Sequence, residues 1–383
     1  MLHILFISTG YPNAYHPLDG IFFRDQAEAL AAYGHQVDFI AINPVSVKHI
    51  ITKKNINYLV YRHFIEKKVD TRHYAYINLP QSPLYIIKQT LRKGKKVANE
   101  YSKESKVPDI IHMHCFEAVE LAEYFINEYN IPLVVTEHSS RFLNNTLHPS
   151  LEKYALKAFS LSSMNIAVSH VMAKELSKKY NVAFKYLPNV VDTDFFTPTG
   201  RTCDTPFTFL NVAALTPIKS QNLLITAFAE VLRSHHELQL IIVGEGPERK
   251  RLEKQITKFG IEKNVTLTGF LDRNSVKKYM QSADAFVLSS SYETFGVVLI
   301  EAMSCGLPVI STKCSGPESI ITNERLGKLC NISSHSLAMA MEEVYNNGTG
   351  YDKAFIRKYA TDNFSNFAVS QKLTTLYQNL LGK

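Results

Sequence analysis

The chain has 383 residues, 45% of them hydrophobic and 20% charged, with a formal net charge of +7. It is too long for one average domain, and too ordinary in make-up for a collagenous, disordered or disulfide-stapled chain. No apolar run approaches the length a bilayer requires, and the modest positive balance suits an acidic substrate or an anionic membrane surface without demanding nucleic acid.

Five cysteines (Cys115, Cys203, Cys305, Cys314, Cys330) are odd in number and lack a Cys-x-x-Cys spacing. A reduced cytosol is expected, with neither a disulfide framework nor a zinc site. The opening stretch MLHILFISTG has the apolarity of a signal peptide but no basic lead and no small-residue cleavage site. A first parallel strand is the better reading.

Short apolar runs alternate with helical patterns through both halves, which predicts α/β architecture with parallel sheets. The runs in the first half are Leu2–Ser8, Val37–Ile42, Ile110–His114, Leu133–Thr136 and Asn165–Val168. Gly20 precedes a helix on which Phe23, Ala27, Leu30 and Ala31 recur at helical spacing. A glycine there can admit a phosphate or sugar against its backbone, and ordinary strand-to-helix turns use one too.

The stretch Leu84 to Tyr101 carries Lys88, Arg92, Lys93, Lys95 and Lys96 beside Leu84, Ile87, Leu91 and Ala98. This basic amphipathic pattern fits either a solvated helix face or docking on an anionic membrane. DIIHMHCFE ends a strand with His112 and His114 on one face, because residues two apart share a side. No third residue stands at a convincing metal spacing. A packed histidine is one fate; ligand contact is the other for His114, at the strand's carboxyl end. The next loop, TEHSSRFLNN, offers Glu137, His138 and Arg141, which either touch a substrate or satisfy one another.

From Lys185 to Pro206 periodicity fades and Pro188, Pro198, Gly200 and Pro206 accumulate, which marks a linker. The expected division is a first domain over 1–190, a linker over 191–206 and a second domain over 207–362. The second-half runs are Phe207–Ala213, Leu238–Gly244, Val265–Thr268, Ala285–Ser289 and Val309–Ser311. Gly244 and Gly246 form a turn between a strand and a helix.

SSYETFGVVLIEAMSCGLP places a polar turn after a buried strand and predicts a helix from near Phe295 to Gly306, with Pro308 beyond it. The free N–H groups of Phe295, Gly296 and Val297 would then face an anionic ligand at the carboxyl edge of a sheet. Glu301 is the oddity, a carboxylate on a helix that reads as buried all round, where an unpartnered charge is costly. It either takes the hydroxyls of a ribose or caps a neighbouring backbone segment. Glu293, eight residues earlier, either faces a sugar or is a solvated loop charge.

The Glu-x7-Glu pair in SxxETFGxxxxEAMxCGxPVI resembles glycosyltransferase family 4, retaining nucleotide-sugar enzymes of the GT-B fold. The resemblance implies two Rossmann-like, doubly wound domains facing a central cleft, with a C-terminal helix over 363–383 packing back on the first. DGIFFRDQAEAL is similar to the family's GIFxRxQAEAL, which would set Gly20 against the donor. His114 matches the second histidine of DxxHxH, close to the reacting sugar and acceptor. FLNVAALTPIKSQNLLITAF is similar to VGRLxPxKGxxxLIxAF, which makes Lys219 the cation on the donor diphosphate. Gly244 and Gly246 would line the nucleotide side, and Phe270 and Leu271 match the loop that reads the base through backbone atoms. Glu293, Thr294, Phe295, Gly296 and Val297 would hold the sugar and diphosphate, and Glu301 the ribose. His114 and Glu293 are the implied catalytic pair.

The chain departs from the pattern at Ala214, where the family has an arginine, and at Ser220 in place of glycine. Asp192 and Asp194 spell Asp-x-Asp, yet fall in a segment similar to PNGxDxxxF, so they read as structural and no metal or other cofactor is expected. The implied partners are a UDP- or GDP-sugar and a saccharide or lipid-linked acceptor, in the cytoplasm or on the cytoplasmic face of a membrane, in bacterial surface polysaccharide synthesis. The rival readings are a catalytically silent nucleotide-sugar binder and a GT-B-like epimerase.

Overall fold

Runs of Ile, Val, Leu and Phe four to six residues long are too short for helices and too apolar for loops, and they become strands buried on both faces. The computed structural model describes residues 1–13, 18–47, 59–78, 83–104, 107–199 and 206–383. Cys203, Gly200 and the rest of 200–205 lie outside the described residues. The chain forms two units, Met1–Val190 with Asn366–Lys383, and Val191–Ser365.

Unit 1 contains β1 (His3–Ser8), α1 (Ile21–Tyr33), β2 (Gln36–Ser46), β3 (Tyr61–Glu66), β4 (Val69–Asn78), α2 (Pro83–Glu104), β5 (Ile110–His114) and α3 (Val119–Tyr129). It continues with β6 (Leu133–Glu137), α4 (Pro149–Leu161), β7 (Met164–Ala167), α5 (His170–Tyr180) and β8 (Phe184–Tyr186). Its sheet runs β3-β4-β2-β1-β5-β6-β7-β8, parallel except for the antiparallel edge pair β3/β4. The strand order reverses direction between β1 and β5, and ligands of open α/β sheets bind at such a point.

Unit 2 contains β9 (Thr208–Val212), α6 (Gln221–Leu232), β10 (Gln239–Val243), α7 (Arg249–Phe259), β11 (Val265–Gly269), α8 (Arg273–Ser282) and β12 (Ala285–Leu288). Then come α9 (Val297–Ser304), β13 (Val309–Thr312), β14 (Gly327–Cys330), α10 (Ser334–Asn347) and α11 (Lys353–Phe364). The sheet order is β11-β10-β9-β12-β13-β14, all parallel, with its reversal between β9 and β12. The last helix, α12 (Asn366–Leu381), belongs to unit 1. The expected continuous helix over Asn363–Leu381 is broken, because Ser365 is extended (φ −61°, ψ 159°) between α11 and α12.

Three expectations need correction. The stretch from Lys185 is not all linker, since β8 pairs with β7 there. The helix after Gly296 is α9, which starts two residues later and ends two earlier than its flanking signals suggested. Phe295 is a buried anchor, 1% exposed, and Gly296 turns left-handed (φ 106°) before the first helical residue. Nor is α9 buried all round: Val297, Val298 and Glu301 share a half-exposed face, while Leu299, Ile300, Ala302 and Met303 are buried. Glu301 therefore keeps contact with solvent and has a partner in the protein.

On α2 the apolar stripe is used by the fold. Ile87, Thr90, Gly94, Val97, Ala98 and Tyr101 are buried, and Lys88, Arg92, Lys95 and Lys96 are exposed. Of the predicted membrane-facing apolar residues, Leu84 and Leu91 are half-buried. Among the described residues no helix is long and apolar enough to cross a membrane.

α12 is fastened to the unit 1 sheet through Tyr377, whose hydroxyl meets Nδ1 of buried His112 at 2.5 Å. Tyr377→Phe leaves that nitrogen unpaired in the core and is expected to cost about 1–3 kcal/mol. Urea denaturation followed by circular dichroism checks it, and an unchanged midpoint would show that the bond contributes nothing.

Candidate active site

In unit 2 the two loops at the sheet's reversal are stitched together. Ser291 N donates to Ile218 O at 2.9 Å and Ser289 Oγ donates to Lys219 O at 2.9 Å, tying the loop after β12 to the loop after β9. Glu293 N donates to Cys314 O at 3.0 Å, which fixes the same loop to the end of β13. The sequence brings Lys219 and Glu293 together from 74 residues apart: Lys219 Nζ lies 2.5 Å from Glu293 Oε1. Ser290 Oγ donates to that oxygen at 2.7 Å. Ser290 was not singled out in the sequence, where it is one of three serines in a row.

Thr294 is half-buried, and α9 begins just beyond Gly296. The first amides of α9 have no acceptor within the helix and carry the positive end of its dipole. A cation, a set of amides and a carboxylate thus converge at the carboxyl edge of one sheet. Gly244 and Gly246 are explained by packing as well as by any ligand. A Cβ on Gly244 would lie 1.9 Å from Ala213 O, and one on Gly246 would lie 2.3 Å from Leu215 O. They let the loop after β10 close against the loop after β9. Beside that turn Leu271 is half-buried and Phe270 is 75% exposed, more than any other large apolar side chain among the described residues of unit 2. Ala214 is exposed, and its carbonyl accepts from Gln221 Nε2 at 3.1 Å. Asp192 is spent on local structure: its Oδ1 accepts from Phe195 N at 2.9 Å, and Arg273 lies 4.0 Å from its Oδ2.

In unit 1, Gly20 caps α1 with a left-handed φ of 64°, and a Cβ there would meet Gly10 O at 2.5 Å. His114 ends β5 and is fully buried, with its ring between those of Phe6 and Phe23 at centroid distances of 5.0 and 4.8 Å. Its Nδ1 lies 3.0 Å from Nε2 of His138, while its own Nε2 and His138 Nδ1 are sealed without a partner. Burial holds His114 well below the ordinary imidazole value and pushes His138 down to about 3, so both are neutral at pH 7. His112 differs, because both nitrogens are bonded, to Tyr377 and to Thr136 Oγ1 at 2.7 Å.

Glu137, His138 and Arg141 do not satisfy one another side chain to side chain. Glu137 is buried, and its Oε1 accepts from the backbone N–H groups of His138 and Ser139 at 2.9 and 2.8 Å. Burial, followed by the charge of Glu117, raises Glu137 to about 7. Arg141 pairs instead with Glu117, a residue the sequence did not flag, and Arg141 Nε donates to Ser139 Oγ at 2.8 Å. Of the three candidates for substrate contact, Glu137 is closed to solvent, and Arg141 keeps 36% of its side chain exposed.

The family described as Glycosyltransferase Family 4 matches residues 20–195, and that described as Glycosyl transferases group 1 matches residues 195–361. The chain belongs to glycosyltransferase family 4. Its similarity to the 2-deoxystreptamine N-acetyl-D-glucosaminyltransferase of Niallia circulans is 28% identity over 62% of this chain and 64% of that one. The N-acetyl-alpha-D-glucosaminyl L-malate synthase of Bacillus anthracis is 24% identical over 82% of this chain and 80% of the other. The chain thus spans somewhat under two thirds of the first of these relatives. Sucrose-phosphate synthase of Thermosynechococcus elongatus superposes with a TM-score of 0.76 over 99% of both chains at 20% identity. HepE of Anabaena, solved with UDP, gives 0.75 over 99% of this chain and 100% of that one at 19% identity. Likenesses at that identity establish the fold, and both units of this family 4 chain are the Rossmann-like halves of GT-B.

Proposed function

We propose that this protein is a retaining glycosyltransferase that moves a sugar from a nucleotide diphosphate donor to a hydroxyl of a saccharide or lipid-linked acceptor. The observation that carries this reading is the convergence of Lys219, Glu293 and the N-terminus of α9 at the reversal point of the unit 2 sheet. The departing diphosphate gains negative charge, and a lysine with helix amides is suited to stabilise it without a metal ion. Glu301 sits four residues into α9 on its half-exposed face, about 6 Å along the axis from Val297. That spacing suits a ribose whose diphosphate rests at the helix mouth. Glu293 holds Lys219 in the ligand-free protein, and Ser290 keeps the carboxylate in place for the sugar once the lysine turns to phosphate. His114 is assigned to the sugar and acceptor, Arg141 to the acceptor, and the Gly20, Gly244–Gly246 and Leu271 backbones to the donor.

UDP is favoured over GDP, because HepE, similar throughout in fold, was solved with UDP. The lipid-linked option draws support from the similarity to alpha-monoglucosyldiacylglycerol synthase of Streptococcus pneumoniae, 23% identical over 80% of this chain. A cytoplasmic setting and a role in surface polysaccharide belong to the same proposal, with the exposed lysines of α2 as the surface for any anionic membrane.

The test is a thermal-shift panel of UDP- and GDP-sugars followed by product analysis with anomeric assignment and excess EDTA. Glu301→Ala is expected to raise the donor KM about tenfold with little change in kcat, as loss of a ground-state contact does, whereas His114→Ala should mainly lower kcat. Conversion of the donor without any acceptor would point to an epimerase, and wild-type kinetics in either variant would remove that residue's assignment.

A further inference from the structure

α9 has eight residues, about 12 Å of helix, which is too short to be stable by itself. Whatever fixes it along its axis therefore fixes where its first amides stand. Its C-terminal carbonyls show how it is held. Glu301 O and Ala302 O accept from Cys305 N at 3.3 and 3.0 Å, and Met303 O accepts from Gly306 N at 2.9 Å. Ser304 O, the last of the four, goes to a side chain. Arg357 Nη1 donates to it and also to Phe196 O at 2.9 Å, while Nη2 donates to Thr193 O at 3.4 Å. One guanidinium thus ties the end of α9 to the segment by which the chain enters unit 2, where Thr193 and Phe196 are buried.

Arg357 belongs to α11, and the rest of α11 grips the same helix. Its first residue, Lys353, meets Gly306, which turns left-handed (φ 82°) and where a Cβ would lie 3.2 Å from Lys353. Its last residue, Phe364, sets its ring edge-on against Phe295, 6.0 Å between centroids, just before α9 begins. Phe364 O also accepts from Val191 N at 2.9 Å, a second tie to the entry segment. α11 therefore runs antiparallel beside α9 and touches it at both ends.

We propose that Arg357 is a positioning residue for the donor, which holds α9 along its axis from the C-terminal end and so sets where the amides at the other end meet the diphosphate. This deepens the proposed function and rests on its placing of the diphosphate at the mouth of α9. A guanidinium suits the task, because its rigid fork reaches three carbonyls at once where a lysine offers one point charge. Its charge also complements the negative end of the helix dipole. A misplacement of about 1 Å can cost about 10²-fold, so a small slip of α9 is enough to be measured.

Isothermal titration of the full chain with UDP and with GDP identifies the tighter nucleotide, which then serves as the probe, below the melting temperature of every variant. Arg357→Ala is expected to weaken it about tenfold and Arg357→Lys about threefold. Guanidinium chloride, too dilute to denature, should restore much of the loss in Arg357→Ala, and sodium chloride at equal ionic strength should not. Ile356→Ala is the control for stability alone: Ile356 is fully buried on the same helix, and its loss leaves the bond to Ser304 O intact. Its affinity should stay within about twofold of wild type, although unit 2 melts lower. Wild-type affinity in Arg357→Ala overturns the inference when Lys219→Ala is weakened, and so does equal weakening in Ile356→Ala. Should Arg357→Ala not fold, wild-type affinity in Arg357→Lys is the overturning result. Wild-type affinity in both Lys219→Ala and Glu301→Ala is the distinct failure: it removes the nucleotide from the mouth of α9 and this inference with it, whatever Arg357→Ala does.

Discussion

Lys219→Ala is expected to lower kcat/KM for the donor by about 10²–10³-fold, the usual cost of removing one charge stabiliser from a developing anion. Two features place the effect at the upper end of that range. The loop after β9 carries Ala214 where the family resemblance calls for an arginine, so Lys219 is the cation left in this loop for the proposed diphosphate. The lysine is also already in place, since it bonds Glu293 Oε1 at 2.5 Å with 27% of its side chain exposed. Little reorganisation separates that state from one in which Nζ faces phosphate. Lys219→Arg should recover only part of the loss, because a planar guanidinium cannot take the place of a compact ammonium beside Ser290 and Glu293. Ala214→Arg in the Lys219→Ala background should restore activity if both positions address the same charge. Steady-state kinetics with donor varied measures all three, and a Lys219→Ala enzyme within about twofold of wild type would remove the diphosphate from this loop.

Much of this was legible in the sequence because parallel strands buried on both faces are written as unbroken apolar runs. β1, β5, β6, β9, β10, β12 and β13 all read this way, and with them came the candidate residues in the loops that follow, whereas the strand order that makes two of those loops reversal points came from the structure. β3 and β4 were illegible for a specific reason. Their hairpin turns on Lys67 and Lys68, both at positive φ (45° and 68°), where Asn-Gly would have announced the turn. β8 is only three residues long, and β14, though as long as β12 and β13, is Gly-Lys-Leu-Cys and offers no apolar run to read. Glu301 misled because α9 shows only a narrow half-exposed face of Val297, Val298 and Glu301, and two of those three are apolar. The partners of Arg141 and His138 were beyond reach, because Glu117 and His114 lie 24 residues away from them and only the pairing of β5 with β6 brings them close.

Acidification should open unit 1 well before unit 2. Five histidines of unit 1 are held down by burial: His73 to about 4, His112 and His138 to about 3, and His35 and His114 below their ordinary value. A base whose folded value is lowered binds its proton in the unfolded chain first, so stability is complete above about pH 6.5 and is lost as the pH falls from there. Three carboxyls work in the opposite sense. Burial raises Glu137 to about 7, Asp19 to about 6 and Glu28 above its ordinary value, so each favours the folded state increasingly as the pH drops towards its unfolded value. Five groups against three leave about two protons taken up on unfolding, each worth about 1.4 kcal/mol per pH unit. Between about pH 6.5 and 5 a slope of that order removes about 4 kcal/mol, most of the stability of a domain at the low end of the usual range of about 5–15 kcal/mol. All eight groups belong to unit 1. Hydrogen exchange, corrected for the intrinsic pH dependence of amide rates, should show β1, β5 and β6 losing protection between pH 7 and 5 while β9 and β12 keep theirs. His73 lies on β4, away from His114 and His138, so His73→Phe should flatten the slope by about one proton without altering turnover at pH 7. Equal loss of protection in both units would mean that these imidazoles gain their protons inside the folded domain, and that their burial is not what it costs to acidify it.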